Sequence, residues 1–118
     1  RNDSNFYMNG SKVFNFSLER VPLMISQLLT KAGLSPENVD LYLLHQANQI
    51  ILESIFRKMK IPEEKTFIHL ENCGNTVSST IPIALYHAIQ SGKVKRGDTL
   101  ILAGFGVGLS WAGCVVRF

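Results

Sequence analysis

Apolar side chains along the chain recur with a helical period in three stretches and form short runs between them. From Phe14 onward, apolar residues recur every three or four positions as far as Leu29, which predicts an amphipathic helix. Pro22 falls early in this segment, where its missing N–H does least harm. Gly33 is suited to end the helix, because glycine readily adopts the left-handed conformation found there.

Two further stretches, residues 49–59 and 77–90, are also predicted to be helical. The first places its apolar residues on one side and is stopped by Pro62, which cannot continue a helix. The second has Pro82 near its start and the pair Ser91-Gly92 at its end.

Five short apolar runs are predicted as strands: residues 6–8, 39–44, 66–70, 99–103 and 110–118. The pair Asn9-Gly10 predicts a turn after the first run. The glycine-rich residues 104–108 predict a sharp turn, so the last two strands should be antiparallel. This alternation predicts an α/β fold with a mixed, mostly parallel sheet of about five strands and helices on both faces.

Composition and charge narrow the class of protein. A chain of 118 residues with 46% hydrophobic and 18% charged residues can bury the core of one domain. The low share of charged residues suggests that another domain or subunit covers part of the surface. The net charge of +3 comes from scattered residues and forms no long basic tract, which argues against a nucleic-acid partner.

Cysteines and the chain ends indicate the compartment and the domain boundaries. Cys73 and Cys114 form neither a disulfide framework nor a metal-binding spacing, so a reducing cytoplasm is expected. No apolar run is long enough to cross a bilayer, and there is no signal peptide, so no membrane partner is expected. The chain starts at Arg1 in a polar run, so we expect residues 1–10 to be a linker or first-strand region cut from a longer protein. Residues 11–118 are predicted to be the domain.

Three loops should meet at one edge of the predicted sheet, where open α/β sheets bind ligands. The first carries His45 and Asn48, the second Asn72, Cys73 and Asn75, and the third three glycines. A neutral imidazole and an asparagine amide can both donate hydrogen bonds, so a His–Asn pair could stabilise an enolate or oxyanion without a metal. Free backbone N–H groups of a glycine turn suit an oxyanion hole.

Each of these features also has a structural interpretation. His45 could be a hydrogen-bonded residue that closes a strand, and Asn75 could be a turn residue that tolerates left-handed geometry. His69, inside a predicted strand, and His87, on a predicted helix, are interpreted as structural. Cys73 is interpreted as a buried or incidental thiol rather than a nucleophile, since no local feature favours a thiolate.

Three motifs in this order and spacing resemble β-ketoacyl-acyl-carrier-protein synthase III. They are residues 45–48 (His-Gln-Ala-Asn), 72–76 (Asn-Cys-Gly-Asn-Thr) and 104–111 (Gly-Phe-Gly-Val-Gly-Leu-Ser-Trp). The resemblance covers residues 8–118 and the carboxyl-terminal half of that enzyme. It implies a thiolase-like half that assembles with an amino-terminal half of the same enzyme, usually in a homodimer.

The resemblance also implies an activity. The family condenses an acyl-CoA starter with malonyl-acyl-carrier protein and releases carbon dioxide, the reaction that initiates fatty acid synthesis. Acyl carrier protein and acyl-CoA are the implied partners, and no cofactor or metal is implied beyond the substrates. The roles implied by the matching motifs fall on these residues: catalytic, His45 and Asn75; backbone oxyanion hole, Val107; substrate or carrier-protein binding, Gln46, Ala47, Asn48 and Phe105.

The sequence departs from the family pattern at three points. The nucleophilic cysteine belongs to the amino-terminal half, and neither cysteine of this chain matches it, so the chain alone should be inactive. Ile50 replaces an arginine linked to carrier-protein docking, so either another basic residue such as Arg57 or Lys58 takes that role or the partner differs. Val107 replaces a small residue, a change that preserves the backbone donor but alters the pocket. Starter chain length is not readable from these residues.

Two other functional classes stay open. One is a related thiolase-fold condensing enzyme of a secondary-metabolite pathway, such as a polyketide, alkylquinolone or aryl-polyene pathway. The other is a non-catalytic domain that binds acyl-CoA or carrier protein. The absence of any cysteine opposite His45 in the complete protein would favour the second.

Overall fold

The structure is a computed structural model that describes residues 5–118. Its helices and strands follow in the order α1 (Gly10–Ala32), β1 (Leu41–Leu44), α2 (Gln49–Met59), α3 (Thr80–Gln90), β2 (Thr99–Gly106) and β3 (Ser110–Arg117). Short 3₁₀ helices occupy Pro36–Asn38, Glu63–Lys65 and Val77–Ser79. Within residues 5–118, no helix is both long and apolar enough to span a membrane.

The three strands form one mixed sheet in the order β1-β2-β3. The pair β1 and β2 is parallel, with Leu41 opposite Leu100, whereas β2 and β3 are antiparallel. The predicted α/β class and the antiparallel last pair are therefore confirmed.

The predicted count of about five strands is wrong for residues 5–118. Residues 66–70 pair with the sheet through a single bridge, Tyr42 to Thr66, and residues 67–70 form no strand. The run at residues 6–8 forms no strand, and its three side chains are exposed. Short apolar runs are ambiguous because strand formation depends on a neighbouring strand with free hydrogen-bonding groups. Residues 1–4 of the predicted linker lie outside the described residues, and the boundary at residue 10 stays a prediction.

Both faces of the sheet are covered, as predicted. Tyr42 and Leu44 of β1 point into a core shared with α1 and α2, while Leu41 and Leu43 point into a second core beneath α3. This alternation follows from the two-residue period of a strand. All four residues of β1 are buried, so the segment that follows it is fixed at its start.

Helix α1 begins earlier than predicted, and Pro22 lies in its interior. The side chain of Asn9 caps the helix by accepting a hydrogen bond from the Lys12 N–H at 3.0 Å, so the predicted Asn9-Gly10 turn is instead a helix start. An interior proline leaves the carbonyl four residues earlier without its donor. That carbonyl belongs to Leu18, and it accepts a hydrogen bond from Lys58 Nζ of α2 at 2.7 Å. The proline is thus tolerated through a bond that also ties α1 to α2.

The remaining boundaries agree with the prediction in part. The predicted bounds of α2 are confirmed, and so is the Gly33 cap of α1, which has φ 65°. The predicted helix 77–90 begins as a 3₁₀ turn before α3 proper. Strand β2 extends through Gly106, so the turn before β3 contains only residues 107–109 rather than the whole glycine-rich stretch.

Candidate active site

His45 lies directly after β1 and is held by the sheet. Its backbone N–H donates to the carbonyl of Ala103 in β2 at 2.8 Å, which continues the parallel ladder one residue beyond the strand. The imidazole is half-buried. The predicted position of His45 at the carboxyl edge of the sheet is therefore confirmed.

Thr80, the first residue of α3, contacts the His45 ring. Its Oγ1 lies 2.5 Å from His45 Nδ1 and also accepts the Gln46 N–H at 3.2 Å. The Thr80 side chain is buried, with 2% of its surface exposed. Thr80 could not be singled out from local sequence, because this contact joins residues 35 positions apart in the chain.

Phe105 of β2 also contacts the His45 ring. The two ring centroids are 5.4 Å apart with an interplanar angle of 78°, an edge-to-face arrangement. Burial lowers the pKa of His45 below its ordinary value. The imidazole is therefore neutral at pH 7.

The Gln46 side chain connects β1 to the segment at residues 67–69. Its Nε2 donates to the carbonyls of Leu44 at 2.8 Å and Phe67 at 3.3 Å, and its Oε1 accepts the His69 N–H at 2.7 Å. Only 1% of the residue is exposed. The carboxamide thus has a structural role, because it holds the chain between His45 and Asn48, and the binding role of Gln46 stays a prediction.

Asn75 is anchored to the same segment from the loop before α3. Its Oδ1 accepts the Val77 N–H at 2.8 Å, which identifies Nδ2 as the donor side of the amide. One Nδ2 hydrogen bonds the carbonyl of Ala47 at 3.3 Å, and the side chain is otherwise exposed. An amide with two N–H donors and one such bond keeps a donor for a ligand. The predicted meeting of the first two loops is confirmed.

The remaining predicted binding residues have distinct settings. Asn48 caps α2 by accepting the Ile51 N–H at 2.8 Å, and its side chain is exposed. Val107 lies at the tip of the β2–β3 turn with 92% of its surface exposed. Its carbonyl accepts the Ser110 hydroxyl at 2.7 Å.

The cysteines and the other two histidines lie elsewhere. Cys73 Sγ is 3.5 Å from the His69 carbonyl, and Cys114 is exposed on β3. His69 lies outside any strand, contrary to the prediction, and its ring stacks on that of His87 at 3.9 Å. Stacked rings of this kind support the structural interpretation of both histidines.

Comparison with known proteins identifies the family to which this fold and its motifs belong. The family described as "3-Oxoacyl-[acyl-carrier-protein (ACP)] synthase III C terminal" matches residues 29–118. A chloroplastic β-ketoacyl-[acyl-carrier-protein] synthase III B of Cuphea wrightii is 45% identical over 111 residues, which are 94% of this chain and 28% of that protein. The chain therefore spans about a third or less of this relative's length.

Solved structures agree with the sequence match. A crystal structure of a 3-oxoacyl-(acyl-carrier-protein) synthase III is 52% identical with a TM-score of 0.96, covering all of this chain and 35% of that one. The priming β-ketosynthase of the R1128 polyketide biosynthetic pathway is 32% identical with a TM-score of 0.88, covering 93% of this chain and 33% of that one. The chain belongs to the carboxyl-terminal domain family of 3-oxoacyl-[acyl-carrier-protein] synthase III.

Proposed function

We propose that this chain is the carboxyl-terminal part of an enzyme that condenses an acyl-CoA starter with malonyl-acyl-carrier protein and releases carbon dioxide. Loss of carbon dioxide from a malonyl thioester leaves an enolate, whose negative charge lies largely on the thioester oxygen. His45 and Asn75 donate hydrogen bonds to that oxygen. The nucleophilic cysteine that holds the starter comes from the amino-terminal part of the same enzyme.

One observation carries this proposal: two uncharged side chains with N–H donors are held at one short segment. His45 is the first residue of that segment, and the Asn75 amide is bonded to the Ala47 carbonyl within it. Neutral donors fixed before the reaction stabilise developing negative charge without reorganising and without taking up a proton. A charged imidazolium would instead pair with the malonyl carboxylate and oppose its loss.

The other predicted residues complete the site in this proposal. The backbone N–H of Val107 forms the oxyanion hole for the acyl transfer step. Ala47, Asn48 and Phe105 border the thioester and its pantetheine arm, and the Gln46 carboxamide holds the segment on which Ala47 and Asn48 lie.

Carrier-protein docking falls on the outer side of α2. Ile50 is 69% exposed, and Arg57 is exposed two turns further along the helix, so both lie on the same side. Lys58 is less suited, because its ammonium group is bonded to the Leu18 carbonyl. An arginine beside an exposed isoleucine suits an acidic carrier protein with an apolar contact at its centre. We further propose a homodimeric, cytoplasmic enzyme with no cofactor beyond its substrates.

The proposal is tested with the complete protein that contains this chain. We expect it to convert an acyl-CoA and malonyl-acyl-carrier protein into a β-ketoacyl-acyl-carrier protein with release of one carbon dioxide per product, detected by mass spectrometry. The isolated 118-residue chain, measured in parallel, should form no product because it has no acylated thiol. Acyl transfer by the isolated chain, or binding of both substrates without turnover by the complete protein, would contradict the proposal.

A second candidate is a priming condensing enzyme of a secondary-metabolite pathway. The likeness to the R1128 priming β-ketosynthase supports this candidate. The same hydrogen-bond donors would serve either pathway. A panel of starter-CoA thioesters of different length and branching distinguishes the two by kcat/KM. Preference for the acetyl starter supports fatty acid initiation, whereas preference for longer or unusual starters supports the second candidate.

A further inference from the structure

The Thr80 hydroxyl has two hydrogen-bonding contacts, one with His45 and one with Gln46. Its hydroxyl can accept hydrogen bonds through two lone pairs but can donate only one. The Gln46 backbone N–H is a donor and therefore takes one lone pair, at 3.2 Å. The hydroxyl proton is still available for the second contact, which is His45 Nδ1.

Two arrangements of protons are possible between Thr80 and His45. In one, Nδ1 carries a proton and donates to Oγ1, and the hydroxyl proton then has no acceptor among the described contacts of Thr80. In the other, the hydroxyl donates to a bare Nδ1, so the hydroxyl proton and the Nδ1 lone pair each have a partner. Because Thr80 is 2% exposed, water cannot readily replace a missing acceptor. The second arrangement is therefore favoured.

We propose that Thr80 is a positioning residue that donates its hydroxyl proton to His45 Nδ1 and so keeps the imidazole proton on Nε2. Nε2 lies across the ring from Nδ1, on the edge that is turned away from Thr80. The inference rests on the proposed function, in which His45 must donate to the thioester oxygen. The wrong tautomer would present a lone pair to that oxygen and repel it.

The wild-type protein provides the first test, which is independent of catalysis. We expect ¹⁵N-edited NMR of the complete protein at pH 7.5 to show His45 with its proton on Nε2 and with Nδ1 unprotonated. A spectrum with the proton on Nδ1 would overturn the inference, even if condensation proceeds. Failure of the condensing function would instead appear as absence of product, with the tautomer still measurable.

Substitution of Thr80 provides the second test. In Thr80→Val the shape is kept but the hydroxyl is lost, so we expect a mixture of His45 tautomers and a fall in kcat for malonyl decarboxylation of about 10- to 100-fold. KM should change by less than about threefold, since the hydroxyl does not touch the substrate. Thr80→Ser, which restores the hydroxyl, should return kcat to within about threefold of wild type.

A matched control separates this role from general loss of a threonine hydroxyl. Thr30 of α1 donates to the Ser26 carbonyl at 3.1 Å and lies outside the site, so Thr30→Val should leave both the tautomer and kcat unchanged. If Thr80→Val does not fold, the NMR of wild type and Thr80→Ser decides the question. Equal damage from Thr80→Ser and Thr80→Val, or a Thr80→Val enzyme with wild-type kcat, would overturn the inference.

Discussion

The segment at residues 45–48 and the turn at residues 107–109 both follow strands of the sheet, yet they are held very differently. In the first, the imidazole of His45 and the carboxamide of Gln46 each bond to other elements of the fold. In the second, Val107 is 92% exposed, and its carbonyl accepts a local bond from Ser110, the first residue of β3.

This difference assigns different kinds of chemistry to the two regions. Donors that must meet a developing charge need fixed positions, because loose donors lose energy in reorganising during the reaction. The segment after β1 meets that requirement within this chain. In the proposed function, the turn contributes only a backbone group, which lies between two glycines with positive φ, Gly106 at 159° and Gly108 at 141°. Side-chain changes should therefore be costly in the first region and mild in the second.

Loss of the His45 ring should produce the largest effect. In the complete protein, we expect His45→Ala to lower malonyl decarboxylation at least about 1000-fold, since a principal donor to the enolate is gone. Acylation of the nucleophilic cysteine by the starter should be largely retained. Radiolabelled carbon dioxide release and mass spectrometry of the acyl-enzyme measure the two steps separately. Loss of both steps together would indicate a different role for His45.

Substitution of Gln46 should lower the stability of the fold, since its carboxamide is not assigned to a chemical step. Gln46→Leu removes three hydrogen bonds and leaves the Leu44 and Phe67 carbonyls and the His69 N–H without partners. We expect the free energy of unfolding to fall by about 3 kcal/mol, measured by urea denaturation. Gln27→Leu, on the exposed side of α1, is the control and should change it by less than about 0.5 kcal/mol. Equal stability of the two variants would contradict the structural role.

The pH dependence of decarboxylation should reflect the neutral imidazole. Because burial lowers the pKa of His45, its neutral form persists as the pH falls to about 6.5, the ordinary value, and activity should decline only below that. As the pH falls, the His45 imidazole is protonated in the unfolded chain before it is protonated in the folded protein. The contribution of His45 to the free energy of unfolding is therefore present above about pH 6.5 and is lost as the pH falls further. A pH–rate profile measures the first effect. The same profile measured for His87→Gln is the control. A fall in activity centred above about pH 6.5 in both proteins would contradict the neutral state assigned to His45.

Val107 should show the smallest effect. Val107→Ala keeps the backbone N–H and shortens an exposed side chain, so we expect kcat to stay within about twofold of wild type. A loss of more than about tenfold would mean that the side chain itself shapes the acyl pocket. In that case the turn would resemble the segment after β1, and the contrast between the two regions would fail.

Much of the fold could be predicted from local sequence. The bounds of α2 follow from the Asn48 cap and from Pro62, both of which act within a few residues of the helix ends. The run at residues 66–70 was misassigned, because strand formation there depends on a partner, and only Thr66 has one. The interior Pro22 was also unpredictable, since it depends on Lys58 from a distant helix.

The candidate site divides in the same way. The approach of the Asn75 loop to the segment that begins with His45 was predictable, because both loops were expected at one edge of the sheet. The positions of Thr80 and the Gln46 side chain were not, since all of their partners except the Leu44 carbonyl are 21 to 35 residues away in the chain. Gln46 was assigned to binding by family resemblance alone, and the fold uses its carboxamide internally.

The central claim is that His45 and Asn75 act on one oxygen, and a double-mutant cycle tests it most directly. Decarboxylation would be measured for His45→Ala, Asn75→Ala and the double variant of the complete protein, with Asn72→Ala, exposed in the same loop, as the control. Two donors to one oxygen act as a unit, so the double variant should be at most about tenfold worse than the poorer single variant. Losses that multiply in full would show that the two residues act independently and would contradict the claim.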